Sequence, residues 1–152
     1  MPFARRRGSL VVFSIVFLGP TPAWAVLGGS VASVASDQQR LRGELRSTAA
    51  DGFSIHEITA EDGVVVREYI SPGGQVFGLS WRGPVRPNLA PLLGEYFPAF
   101  QKASRSAARR RGPLVVRTDQ LVVEMGGHMR AFHGRAYLPD LLPATVSAAV
   151  VR

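Results

Sequence analysis

The sequence predicts a single α+β domain: an antiparallel sheet of five to seven strands that opens with a three-stranded meander and carries one main amphipathic helix. Three observations point there. Between Phe53 and Arg82, apolar and polar residues alternate in runs separated by turn residues. From Leu89 to Phe100 the apolar residues change to helical spacing. The 16 Gly and 11 Pro among 152 residues demand many short elements and rule out a long helical bundle. A small open or barrel-like sheet is the alternative arrangement of the same strands. The length suits one domain, with no internal repeat and no linker that would divide it.

The first 25 residues have the organisation of a secretory signal peptide. Arg5, Arg6 and Arg7 form a positive start, Leu10 to Leu18 an apolar run, and Ala23-Trp24-Ala25 a small-residue cleavage site after Gly19, Pro20 and Pro22. The apolar run falls short of the about 20 residues needed to span a bilayer. The sequence therefore predicts cleavage before Val26, no transmembrane anchor afterwards, and a periplasmic or extracellular location. The expected organisation is a signal peptide over 1–25, one domain over 26–143 with a basic loop at 102–112, and a loose tail over 144–152.

Val26 to Gly29 reads as a mobile start. Ser33 to Arg46 reads as a short helix with Ser36 as N-cap, interrupted by Gly43, and Thr48 to Gly52 as a loop. The meander follows, with strands Phe53–Thr59, Val64–Ser71 and Gln75–Arg82 and turns at Glu61-Asp62-Gly63 and Pro72-Gly73-Gly74. Charge selects its register. A two-residue Asp62-Gly63 loop would set Glu57 against Glu68, whereas a three-residue loop with Gly63 left-handed pairs Glu57 with Arg67, His56 with Glu68 and Ile58 with Val66. Alternation then gives one core face to Ile58, Val64, Val66, Ile70, Phe77, Leu79 and Trp81.

Asn88 is positioned to cap a helix whose stripe is Leu89, Leu92, Leu93, Tyr96, Phe97 and Phe100, with Pro98 expected to kink or end it. A basic loop over Ala103 to Gly112 leads back to β structure. This comprises Leu114–Thr118, a turn at Asp119-Gln120, Leu121–Met125, and one strand running on after Gly126-Gly127 through Tyr137.

Composition excludes several chemistries. With no Cys there is no disulfide, thiolate zinc site, iron–sulfur cluster or cysteine nucleophile. The formal charge of +7 is misleading. Without Arg5 to Arg7, 15 basic residues face 11 acidic ones, and five of the 15 (Lys102, Arg105, Arg109, Arg110 and Arg111) lie in one ten-residue stretch. The rest of the chain is nearly neutral, so nucleic acid is not an expected partner. The basic stretch is instead a candidate contact for anionic envelope surfaces.

His128, Arg130, His133, Arg135 and Tyr137 make the HMRAFHGRAY segment the richest in chemistry. Residues five apart face opposite sides of a strand and diverge by about 140° on a helix, so the two histidines cannot share a metal ion without a bulge. No HExxH pattern occurs, and neither a metal nor another cofactor is expected. Arginine forks suit carboxylate and phosphate, which makes an anion pocket built from Arg130 or Arg135 with a histidine the sharper reading of the segment. Arginines packed over aromatics on two half-exposed faces are the more expected arrangement. Gly126-Gly127 lacks phosphate-loop spacing and reads as a bulge or turn. The His56–Glu68 pair resembles an oriented general base but lacks a nucleophile, since no GxSxG occurs. Trp81, Tyr96, Phe97 and Phe100 read as core in preference to a ligand cleft.

Four runs carry a resemblance: GVVVREYISPGG (Gly63–Gly74), VFGLSWRGP (Val76–Pro84), LLGEYF (Leu92–Phe97) and GGHMRAFHGRAYLPDLLP (Gly126–Pro143). They resemble the exported bacterial family described as domain of unknown function 2844. The resemblance implies export in Gram-negative bacteria and transfers no activity, cofactor or catalytic residue. The chain departs from the family pattern at Asn88, where Asp is commoner, and in its enlarged basic stretch. The expected function is a non-enzymatic binding or accessory module for an envelope protein or anionic envelope surface. The alternative is a small periplasmic hydrolase-like enzyme using His56, Glu68, His128 or His133, and convergence of such groups in one pocket would distinguish the two.

Overall fold

The computed structural model describes residues 26–30, 44–107 and 112–152. Its strands are β1 (Glu44–Ala50), β2 (Phe53–Thr59), β3 (Val65–Ile70), β4 (Val76–Gly83), β5 (Leu114–Arg117), β6 (Val122–His128) and β7 (Ala131–Tyr137). They form one antiparallel sheet in the order β1-β2-β3-β4-β7-β6-β5. Between β4 and β5 run two helical segments, α1 (Leu89–Leu93) and α2 (Phe97–Ala107), joined by a 3-10 turn at Gly94–Tyr96.

The β2–β3 register is the one that charge selects: Glu57 faces Arg67, His56 faces Glu68 and Ile58 faces Val66. Gly63 is left-handed at φ 81°, and Ala60 N donates to the Val64 oxygen at 2.8 Å, closing the three-residue loop. β1 corrects the reading of Thr48 to Gly52 as a loop. Its seven residues pair along the whole of β2, and the hairpin turns at Asp51-Gly52 with Gly52 at φ 78°. Glu44, Leu45 and Arg46, expected at the end of a helix, are strand; the remainder of that expected helix lies outside the described residues.

Asn88 caps α1 by accepting from Ala90 N at 3.1 Å. Leu92, Leu93 and Phe100 are buried against the sheet, with Leu89, Tyr96 and Phe97 packed around them. The break comes at Gly94 and not at Pro98. Gly94 has φ 50°, and a Cβ there would overlap the Val26 side chain. Pro98 falls in the first turn of α2, where its missing N–H has no partner to lose. The helix therefore runs on to Ala107, and the start of the expected basic loop, including Lys102 and Arg105, is helical.

Both faces of the sheet are covered. The first is buried under α1 and α2 and holds Val64, Val66, Ile70, Leu79, Trp81, Val116, Val123 and Ala136. The second holds Tyr69, Phe77 and Val151 at its centre, with Phe53, Ile55, Tyr137, Leu142 and Val146 around them. Phe77 was expected on the first face. A register shift lets Tyr69 face Gly78 but Ile70 face Val76, so Phe77 is the extra residue and points to the second face.

Two ends correct the expectation of looseness. Gly28 N donates to the Val76 oxygen at 2.8 Å, Val76 N donates to the Gly29 oxygen at 2.9 Å, and Leu27 is 1% exposed. Residues 144–152 fold back over the second face, where Val151 is 0% exposed and sits over Gly78, whose missing Cβ leaves its room. Residues 1–25 lie outside the described residues. Among the described residues no helix is long and apolar enough to cross a membrane.

Candidate functional site

Antiparallel pairing aligns the polar residues of five strands in rows across the second face. One row runs Glu57–Arg67–Ser80–Arg135–Glu124–Val115 from β2 to β5, and its neighbour runs Val65–Arg82–His133–Gly126 from β3 to β6. These rows floor a cavity of about 610 Å³ between Arg67, Arg82 and Arg152 at one end and Pro113, Val115 and Met125 at the other.

Most of the charge on this floor is neutralised. Arg67 Nε donates to Glu57 Oε2 at 2.6 Å. Arg135 donates twice to Glu124 Oε2, from Nε at 2.9 Å and Nη2 at 2.7 Å, and Arg117 Nη2 donates to Glu124 Oε1 at 2.8 Å. The hydrogen bonds from Arg135 are the main cause holding the Glu124 carboxyl below its ordinary range; partial burial opposes them, and Arg117 adds to them. Arg135 Nη1 also reaches the Val151 oxygen at 3.3 Å. Its Nε and Nη2 edge is engaged by Glu124 and its Nη1 turns to the 148–151 main chain, so Arg135 builds the floor.

Arg152 joins the site through its main chain. Its main-chain oxygen accepts from Tyr69 OH at 2.6 Å, from Ser80 Oγ at 3.1 Å and from Arg67 Nη1 at 3.3 Å. The Ser80 hydroxyl is committed to this bond, with no base activating it. Arg82 and Arg152 line the cavity, and their guanidinium groups have no hydrogen bond or ion pair among the described residues. Beside them the His133 ring lies over Gly126, where a Cβ would come to 3.1 Å from His133 Nε2, so glycine is what lets the imidazole lie over β6.

The expected site residues are thereby sorted. His133, Arg135 and Tyr137 share the second face, and the Arg135 guanidinium lies 6.0 Å from the Tyr137 ring. His128 and Arg130 do not join them. The strand expected to run unbroken from Gly126-Gly127 to Tyr137 is a hairpin: β6 continues through both glycines and turns at Met129-Arg130, with Arg130 left-handed at φ 64°. His128 and Arg130 are exposed at that tip.

His56 and Glu68 lie on the opposite, helix-covered face, in one row with Leu79 and Ala136. Glu68 is 0% exposed. His56 Nδ1 is buried without a hydrogen-bond partner among the described residues, and burial pushes the imidazole pKa down. Glu68 therefore does not orient the ring through that nitrogen. Lys102 and Arg105 are exposed on α2, and Arg109, Arg110 and Arg111 lie outside the described residues. Among the described residues no three acidic or histidine side chains gather as a metal site. The four residues of the enzyme alternative thus occupy three separate places. Trp81 and Phe100 are core, as expected.

Sequence reasoning missed Arg82 and Arg152. Arg82 was legible, because alternation puts Ser80 and Arg82 opposite Leu79 and Trp81. No pattern flagged Arg152.

No curated protein and no solved structure matches the chain. The family described as "Protein of unknown function (DUF2844)" matches residues 23–151, most of the sequence and every strand described above, and the chain belongs to that family.

Proposed function

We propose that the mature protein is an exported, non-enzymatic binding module that holds an anionic group of an envelope partner in the cavity on the second face of the sheet. The observation that carries this reading is the pairing pattern: Arg67 and Arg135 are neutralised by Glu57 and Glu124, while Arg82 and Arg152 enter the same cavity without a carboxylate. Uncompensated guanidinium groups in a concave site favour carboxylate or phosphate. The dispersal of His56, Glu68, His128 and His133 speaks against the enzyme alternative. Export rests on residues 1–25 and their A-x-A site.

Two measurements test the reading. Millimolar inorganic phosphate should raise the melting temperature above that in chloride of equal ionic strength, because a ligand that binds only the folded state stabilises it. The Arg82→Ala/Arg152→Ala variant should lose that increment while melting normally without phosphate. An equal increment in the variant would place the anion elsewhere. N-terminal sequencing of envelope or medium fractions should begin at Val26, and full-length cytoplasmic protein would defeat the export half.

A further inference from the structure

We infer that the ligand of this cavity is a single-chain amphiphile, an organic phosphate or carboxylate with an unbranched apolar body, and not a bare anion. The inference rests on the anion-binding reading and adds the ligand's shape and polarity. The cavity crosses five strands from β3 to β5, which at about 4.8 Å per strand spacing is a trough roughly 19 Å long.

Its two ends differ in chemistry. The lining at the β3–β4 end includes Arg82 and Arg152, whose guanidinium groups have no ion pair among the described residues. In the middle Arg135 and Arg117 share the single carboxylate of Glu124, which balances one of their two positive charges. The β5 end is apolar, formed by Pro113 and Val115, and Val115 is 42% exposed. A bare phosphate would use only the first end and leave the rest of the trough wet. A chain of ten to twelve carbons with an anionic head would meet Arg82 and Arg152 at one end and the valine at the other, and each methylene it buries tightens binding severalfold.

The experiment titrates the mature protein calorimetrically with decyl phosphate below its micelle concentration, with inorganic phosphate and with uncharged decyl maltoside. Decyl phosphate should bind at least about 100-fold more tightly than inorganic phosphate. Arg82→Ala/Arg152→Ala should remove most of that affinity, and Val115→Asn should weaken decyl phosphate while leaving inorganic phosphate unchanged. All three side chains are exposed, so the variants should fold, which circular dichroism verifies. Equal affinity for decyl phosphate and inorganic phosphate would overturn the amphiphile and leave the anion site standing. Equal affinity for decyl phosphate and the maltoside would overturn the guanidinium head site, and with it the anion reading. Failure of both phosphates to bind would remove the anion reading altogether.

Discussion

The two faces of the sheet are built from the same strands and finished in different ways. The first face is almost wholly apolar and is closed by α1 and α2 over Leu79, Trp81, Val123 and Ala136. On the second, residues 138–152 cover Tyr69, Phe77 and Ser80, but Arg67 and Arg135 stay partly exposed and the cavity remains open beside them. The difference shows how an antiparallel sheet divides its labour. One side supplies the burial that holds the fold, and this lets the other side keep partly exposed arginines where they cost stability little.

The largest effect should come from breaking the closed face. Leu93 is 0% exposed, and Leu93→Ala should destabilise by about 2–5 kcal/mol in chemical denaturation. Val151 is equally buried on the other face, but it is smaller and lies near one end of the described chain. Val151→Ala should cost about half as much. A larger loss for Val151→Ala than for Leu93→Ala would reverse the assignment of which face holds the fold.

A second, smaller difference is in pH response. On the first face, burial lowers the His56 pKa below its ordinary 6.5. The unfolded chain therefore binds a proton that the folded chain resists, and stability should fall as pH drops through about 6.5. Glu68 and Ser47 flank His56 on the neighbouring strands, and His56→Gln should flatten this limb of the melting-temperature profile. On the second face the lowered Glu124 pKa acts in a more acidic window. Its contribution is complete above the ordinary 4.5 and is lost as pH falls through the depressed folded value. Glu124→Gln should flatten only that acid limb. If both variants flattened the same limb, the two faces would not titrate independently.

The smallest change in stability should come from the basic run. Neutralising Arg109, Arg110 and Arg111 together should leave the melting temperature and decyl phosphate affinity nearly unchanged. Salt-sensitive binding to anionic vesicles should be lost, because solvated charges act at long range and are screened within about 8 Å at physiological ionic strength. Loss of decyl phosphate binding in that variant would join the run to the cavity.

How much of this was legible depended on whether a local pattern carried the information. The β2–β3 register was readable because Glu57 needed Arg67 and could not face Glu68. β1 was missed because ELRSTAA is an edge strand mostly exposed on both sides, so apolar alternation is absent. The Asp51-Gly52 pair was the surviving signal of its hairpin. Gly126-Gly127 drew the turn away from Met129-Arg130, which contains no glycine. The face of Phe77 turned on a bulge that leaves no mark in composition. The first-face core was largely visible, whereas the cavity depended on which arginines find carboxylates across strands. Only the full strand order shows that Arg135 is spent on Glu124 and Arg82 is not.

The bond from Tyr69 to the Arg152 main-chain oxygen joins residues 83 positions apart. Contacts of that separation close last in folding, because the entropy of the intervening loop must be lost before they return any energy. The meander from β1 to β4 can form from neighbouring residues, while the cover of the second face waits until nearly the whole described chain is in place. The same three bonds hold residues 148–152 to Tyr69, Ser80 and Arg67 without belonging to any strand pair. The floor of the cavity is thus completed by contacts of long sequence separation, which cost the most loop entropy to form.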